Sequence, residues 1–333
     1  MNTLRLRTIQ LMSRTTIALL ALAVAACGTE GSFGNASFTV GTGWDADNTV
    51  PIAIGSVFEA SAREASAFGR ALRLESDNPA VLAPSSDGVE GRFEAVGAGK
   101  ASLVARTDAG TELDRMEFEV GVPTAVAAVH WTDLSLDPSA RITGDISALA
   151  NSKVGLKVLV TDSAGQQMRH EGVASLISNS GHPVNVDPSA TEPTLSIGAS
   201  GTGKFSAKVL VKGGAPIVSE HGVTIVQQSD LASIEIAAGP VDTNTNTSSD
   251  TTNTSGSSDQ MHLIFARCKD PGGKRAYGCQ PTWTKISGDG QLLLPTSKAS
   301  EYNWAVLEAG QKIIVKATLG GLNASKTVEN GGQ

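Results

Sequence analysis

Along most of the chain, apolar and polar residues alternate over short stretches instead of recurring every three or four positions. Ile313, Val315 and Ala317 alternate with Lys312, Ile314 and Lys316, giving one apolar face and one mixed face. Leu156, Val158 and Val160 alternate likewise with Lys157, Leu159 and Thr161. A period of two marks a half-buried strand, because successive strand side chains point to opposite faces. Short Val/Ile/Ala/Leu segments are separated by clusters of Gly, Pro, Asn, Asp and Ser, and no long helical-period run follows the first 26 residues. The predicted class is all-β.

The strand-turn-strand pattern recurs three times. Leu72 to Val81 is a strand, a polar turn (Ser76-Asp77-Asn78-Pro79) and a strand start, followed by the Phe93–Ala105 segment around Gly97 and Gly99. Ala174–Val184 followed by Gly201–Val209 repeats it, as does Trp283–Gly290 followed by Glu308–Ala317. Gly99, Gly203 and Gly310 mark equivalent places at a period of about 105 residues, which is the size of a seven-stranded sandwich of roughly 100 residues.

The N-terminus is built differently. Arg5, Arg7 and Arg14 precede an uncharged stretch, Thr15 to Ala26. About 12 such residues are too few for a hydrocarbon core that needs about 20, so the stretch reads as a secretory signal and not a permanent span. The run ends Leu22-Ala23-Val24-Ala25-Ala26-Cys27. This resembles the lipobox of bacterial lipoproteins, which implies cleavage after Ala26 and acylation of Cys27. Several tens of buried methylenes at about 0.8 kcal/mol each would then hold the chain to a membrane. Gly28, not Asp, follows the cysteine, which in that family implies sorting to the outer membrane, facing either the periplasm or the cell surface.

Composition narrows the partners. The formal charge is −7 and the excess acid is scattered. Nucleic acid is not expected as a partner, since phosphate binding needs a basic stripe. With Cys27 assigned to lipid, Cys268 and Cys279 remain, and an even pair in an exported protein points to a disulfide. Chain entropy gives roughly 3 kcal/mol for so short a loop. The metal alternative lacks the four ligands that zinc requires.

The Ser-Asp-Asn-Pro-Ala-Val turn and the Ala-Val-Gly-Ala-Gly-Lys-Ala-Ser-Leu-Val-Ala strand resemble the bacterial Ig-like (Big-type) domains of exported surface proteins. The likeness is closest over 40–120 and extends to 260–333. Over 121–228 the Asn-Pro turn is altered. The resemblance implies tandem Ig-like β-sandwich domains, a fold that diagnoses no activity by itself. The expected organisation is signal peptide 1–26, lipidated leash 27–39, and Ig-like domains 40–121, 122–228 and 229–333. Residues 241–259, polar after Val241, cannot offset their ordering entropy by burial and are expected as a disordered loop of the third domain, or else a linker between domains.

Other motifs carry little chemistry. Gly198–Lys204 matches a phosphate loop until Phe205 stands where Ser or Thr must reach magnesium. Asp45-Ala46-Asp47-Asn48 begins like a calcium loop, but Thr49 and Val50 miss the later ligand and turn glycine. The five histidines are widely spaced, and the His170-Glu171 and Glu220-His221 pairs read as surface residues. No catalytic residue, cofactor or metal site is expected. Trp283 is expected in the core. Trp44 and Trp131 are the candidate ligand platforms. The leading reading is a lipid-anchored, non-catalytic binding or spacer module of the cell envelope with a protein or polysaccharide partner. The alternative is a glycan-binding or accessory subunit of an envelope enzyme or secretion system.

Overall fold

A computed structural model describes residues 29–33, 36–41, 50–65, 69–137, 140–178, 183–187, 193–240, 260–293 and 300–331. Cys27, Trp44, the Asp45–Asn48 segment and the 241–259 tract lie outside the described residues. Contacts divide the chain into two compact units, one running to Ile52 and resuming over Ser56–Val120, the other comprising Ala53–Gly55 and Gly121 onward.

The first unit is built of β1 (Thr29–Phe33), β2 (Ala36–Val40), β3 (Ile52–Ala53), β4 (Val57–Glu64), β5 (Ala71–Ser76), β6 (Leu82–Pro84), β7 (Arg92–Ala95), β8 (Gly99–Arg106) and β9 (Glu112–Gly121). They pair in the order β1-β2-β4-β5-β8-β9-β3, with β7 joining β4 to β6. The expected leash over 27–39 is corrected here, because β1 and β2 form an antiparallel hairpin and β2 continues onto β4. Ala36, Phe38 and Val40 are buried and alternate with the half-buried Ser37 and Thr39, so this segment has a core face of its own. The Ser-Asp-Asn-Pro turn is tied down by its side chains. Asp77 Oδ1 accepts from the Ser102 N–H at 2.6 Å, and Asn78 Nδ2 donates to the Lys100 carbonyl at 3.2 Å. Gly97 must be glycine, because a Cβ there would overlap the Ala80 carbonyl oxygen.

The second unit begins with β10 (Ala125–His130), a six-residue helix α1 (Trp131–Leu136), β11 (Ile146–Leu149), β12 (Lys153–Thr161) and β13 (Gln167–Met168). There follow β14 (Ala174–Ser178), β15 (Val184–Asp187), β16 (Thr194–Ile197), β17 (Thr202–Val209) and β18 (Ile217–Val226). The last group is β19 (Ser233–Pro240), β20 (Gln260–Lys269), β21 (Arg275–Tyr277), β22 (Thr282–Gly288), β23 (Gln291–Leu292), β24 (Tyr302–Leu307), β25 (Lys312–Leu319) and β26 (Leu322–Glu329). The all-β class is what the structure shows. Helix α1 is a correction, since the alternation carried no sign of it.

Two hydrophobic clusters fill this unit. In the first, Val154, Leu156, Val158 and Val160 of β12 face Phe205, Ala207 and Val209 of β17, joined by Val223 and Ile225 of β18. The sheet β10-β12-β16-β15 thus lies against β14-β17-β18-β11 as a sandwich. In the second, Ile313, Val315 and Ala317 of β25 meet Ile264 and Ala266 of β20, around the fully buried Trp283. The indole N–H of Trp283 donates to the Ser300 carbonyl at 2.8 Å, satisfying its polar handle.

The two sandwiches share a strand. β11 pairs in parallel with β18 on one side and with β21 on the other, so one sheet runs β14-β17-β18-β11-β21-β20-β24-β23. Ile146 and Ala148 enter the first cluster and Leu149 the second. All four β11 residues are buried.

Candidate functional site

The densest chemistry lies beside that shared strand. Alternation along β10 turns Val126, Ala128 and His130 the same way, and His130 is fully buried. The chain then folds into α1, which places Asp133 in the first helical turn, where a carboxylate suits the free N–H groups. β20 supplies Arg267 and β21 supplies Arg275. Arg267 Nη2 donates to Asp133 Oδ1 at 3.0 Å, and Arg275 Nη1 pairs with Asp133 Oδ2. Asp133 is 13% exposed and Arg275 19%, whereas Arg267 is 39% exposed.

His130 sits behind this pair. Its Nδ1 lies 2.6 Å from Thr132 Oγ1 and 3.4 Å from Arg275 Nη2. A guanidinium can only donate, so Nδ1 acts as acceptor and the ring proton is assigned to Nε2. Nε2 lies 3.0 Å from Glu301 Oε1, off the line that a hydrogen bond needs. The Arg275 guanidinium lies over the Tyr277 ring at 4.4 Å, and the His130 and Tyr277 rings are 5.3 Å apart. Burial raises the Tyr277 phenol above its ordinary value, with the nearby Arg275 pulling the other way.

Asp133, Glu301, Arg267 and Arg275 thus gather around the buried His130 ring in a mostly dry junction. Removing one partner of a buried ion pair strands the other charge, so Asp133 and Arg275 hold each other in place. The chemistry of the junction is cohesive: Thr132, the hydroxyl beside His130, is itself fully buried and beyond the reach of a substrate. Among the described residues no group of three or more His, Cys, Asp or Glu could hold a metal ion, and no helix is long and apolar enough to cross a membrane.

Of the residues singled out in the sequence, Cys268 and Cys279 form a disulfide with Cα atoms 5.9 Å apart. It joins β20 to the residue two places beyond β21, its neighbour in the same sheet. Trp131 is half-buried in α1, its ring against Gly155 and edge-on to Tyr302 at 4.7 Å. The Gly198–Lys204 string leads into β17, a strand.

Two histidine readings are corrected. His221 is buried, stacked on Phe205 at 5.0 Å, with Nδ1 2.9 Å from the Gly144 carbonyl. His170 is half-buried, with Nε2 2.9 Å from the Val158 carbonyl. His221 falls in phase with Val223 and Ile225, and His130 with Val126 and Ala128. That phase was the available signal for both.

No protein-family model and no curated protein sequence matches the chain. Among solved structures it is similar to domains 4–9 of the surface layer protein SbsC, at 16% identity and a TM-score of 0.36, over 82% of this chain and 42% of that one. It is also similar to cadherin domains 1–4 of protocadherin gamma B7, at 14% identity and a TM-score of 0.21, over 84% of this chain and 74% of the other. The Yersinia pseudotuberculosis adhesin InvE matches at 13% identity and a TM-score of 0.20, over 55% and 56% of the two chains. The chain spans less than half the length of the SbsC fragment.

Proposed function

We propose that the protein is a lipid-anchored, non-catalytic module of the cell envelope, carried on acylated Cys27 and acting as a binding or spacer module. In this reading the Ig-like domains are the three expected at 40–121, 122–228 and 229–333, the first extended at its N-terminus by β1 and β2, and the partner is another protein or a polysaccharide of the envelope. The observation that carries the reading is β11, a strand held in common by two sandwiches. An interdomain connection within a chain defaults to mobility unless its interface is large and hydrophobic. Here a continuous sheet and a buried charge cluster replace the linker, which suits a spacer. The lipobox-like Leu22–Cys27 run and the outer-membrane residue Gly28 support the anchor and its location.

The test is replacement of Cys27 by Ser, with fractionation of cells and metabolic labelling by a radioactive fatty acid. The wild-type chain is expected in the membrane fraction and labelled. The C27S chain is expected unlabelled and released. Membrane association and label retained by C27S would overturn the anchor.

A further inference from the structure

The segment between the two cysteines does more than close a hairpin. β21 is only three residues long and pairs with its own neighbour β20 through two positions, Cys268 opposite Ala276 and Lys269 opposite Arg275. Yet each residue from 275 to 278 reaches across to the other sandwich. Arg275 binds Asp133 of α1. Ala276 and Tyr277 pair with Ser147 and Ala148 of β11. Tyr277 packs against the cluster of β12, β17 and β18. Gly278, at φ +79°, lies so close to Ser152 that a Cβ would overlap its hydroxyl oxygen. The next residue is Cys279, bonded back to Cys268 in the middle of the sheet.

We propose that the Cys268–Cys279 disulfide is a clamp on the junction between the two sandwiches: it fixes β21 against β20 so that β11 has a strand to pair with, and Asp133–Arg275 is the second fastening of the same seam. Two backbone pairing positions are too few to hold a three-residue strand by themselves, since isolated short pairings are marginal in water. The disulfide supplies the missing constraint by closing the loop that carries it. The seam enters both apolar clusters: Ile146, Ala148 and Tyr277 join one, and Leu149, Ala276 and the two cysteines join the other. The proposal concerns the joint itself and holds whether or not the chain carries a lipid.

Hydrogen exchange with mass spectrometry on the full chain tests it, comparing the wild type with the Cys268→Ala/Cys279→Ala double variant. Peptides covering 146–149 and 275–277 are expected to lose protection by about 100-fold, the scale of a short-loop disulfide. Peptides covering β12 and β25 should lose much less, because they open only when the whole unit unfolds. Arg275→Met, with the disulfide intact, should loosen the same two peptides by a smaller factor, and it serves as the test if the double variant does not fold. Equal loss at β12 or β25 would mean that the disulfide supports a sandwich and not the seam, overturning the proposal. Unchanged protection at 146–149 in both variants would overturn it equally.

Discussion

Removing the Asp133 carboxylate should cost more than any surface charge of the chain. Asp133→Ala leaves Arg275, 19% exposed, without its partner, and Arg267, 39% exposed, without its acceptor. Breaking a buried ion pair by deleting one member costs about 3–5 kcal/mol, because the other charge stays desolvated. Arg275 retains some water and its stacking on Tyr277, so the lower end of that range applies to this contact. The Arg267 contact is exposed enough to contribute only about 0–1 kcal/mol. Together they give a loss of about 3 kcal/mol. For a cooperative unit of roughly 200 residues this corresponds to a fall in Tm of about 6–12 °C. The assay is urea unfolding of the full chain followed by circular dichroism, with the slope checked for constancy. Arg275→Met alone should cost less, and the double variant should be less destabilised than the sum, because the stranded charge has gone. A loss below about 0.5 kcal/mol for Asp133→Ala, or strict additivity with Arg275→Met, would show that the cluster does not hold the junction.

Two further perturbations probe the same unit. Gly278→Ala forces an alanine into a left-handed conformation and against the Ser152 hydroxyl, so a loss of at least about 2 kcal/mol is expected in urea unfolding. His262 is buried, its Nε2 has no hydrogen-bond partner among the described residues, and desolvation lowers its pKa below the ordinary 6.5. The unfolded chain therefore takes up this proton first as pH falls. Its contribution is fully present above about pH 6.5 and is lost as pH drops through the depressed folded value. His262→Gln should flatten the decline of the urea midpoint between pH 7 and pH 5; an unchanged slope would contradict the assignment.

What could be read from the sequence followed the periodicity. Ile313 to Ala317 is a strand buried on one face, and Val154 to Val160 keeps the same alternation except that Leu159, on its opposite face, is buried as well. The Ser76–Pro79 turn was legible because Ser, Asp, Asn and Pro are turn formers, although its Asp and Asn side chains bind backbone of β8, at Ser102 and Lys100. β11 was not. Ile146, Ser147, Ala148 and Leu149 are buried on both sides by two different sandwiches, so neither a period of two nor of 3.6 marks them. The charge cluster was hidden for another reason. Asp133 lies 134 residues from Arg267 and 142 from Arg275, and no spacing rule reaches across two sandwiches. α1, with six residues, is too short to show a helical stripe. The strand at Ala36–Val40 does alternate, but five residues directly after a Gly-rich stretch are too short a run to separate from a leash. The disulfide followed from counting cysteines, but its place on the seam required the topology.

The central claim is that 122–228 and 229–333 are joined through β11 into one cooperative unit. Pulsed hydrogen exchange of the full chain across a urea series measures this directly, by comparing the midpoints at which β12 and β25 lose protection. Coincident midpoints are the predicted result. Separate midpoints, with one sandwich fully protected where the other has already exchanged, would contradict it.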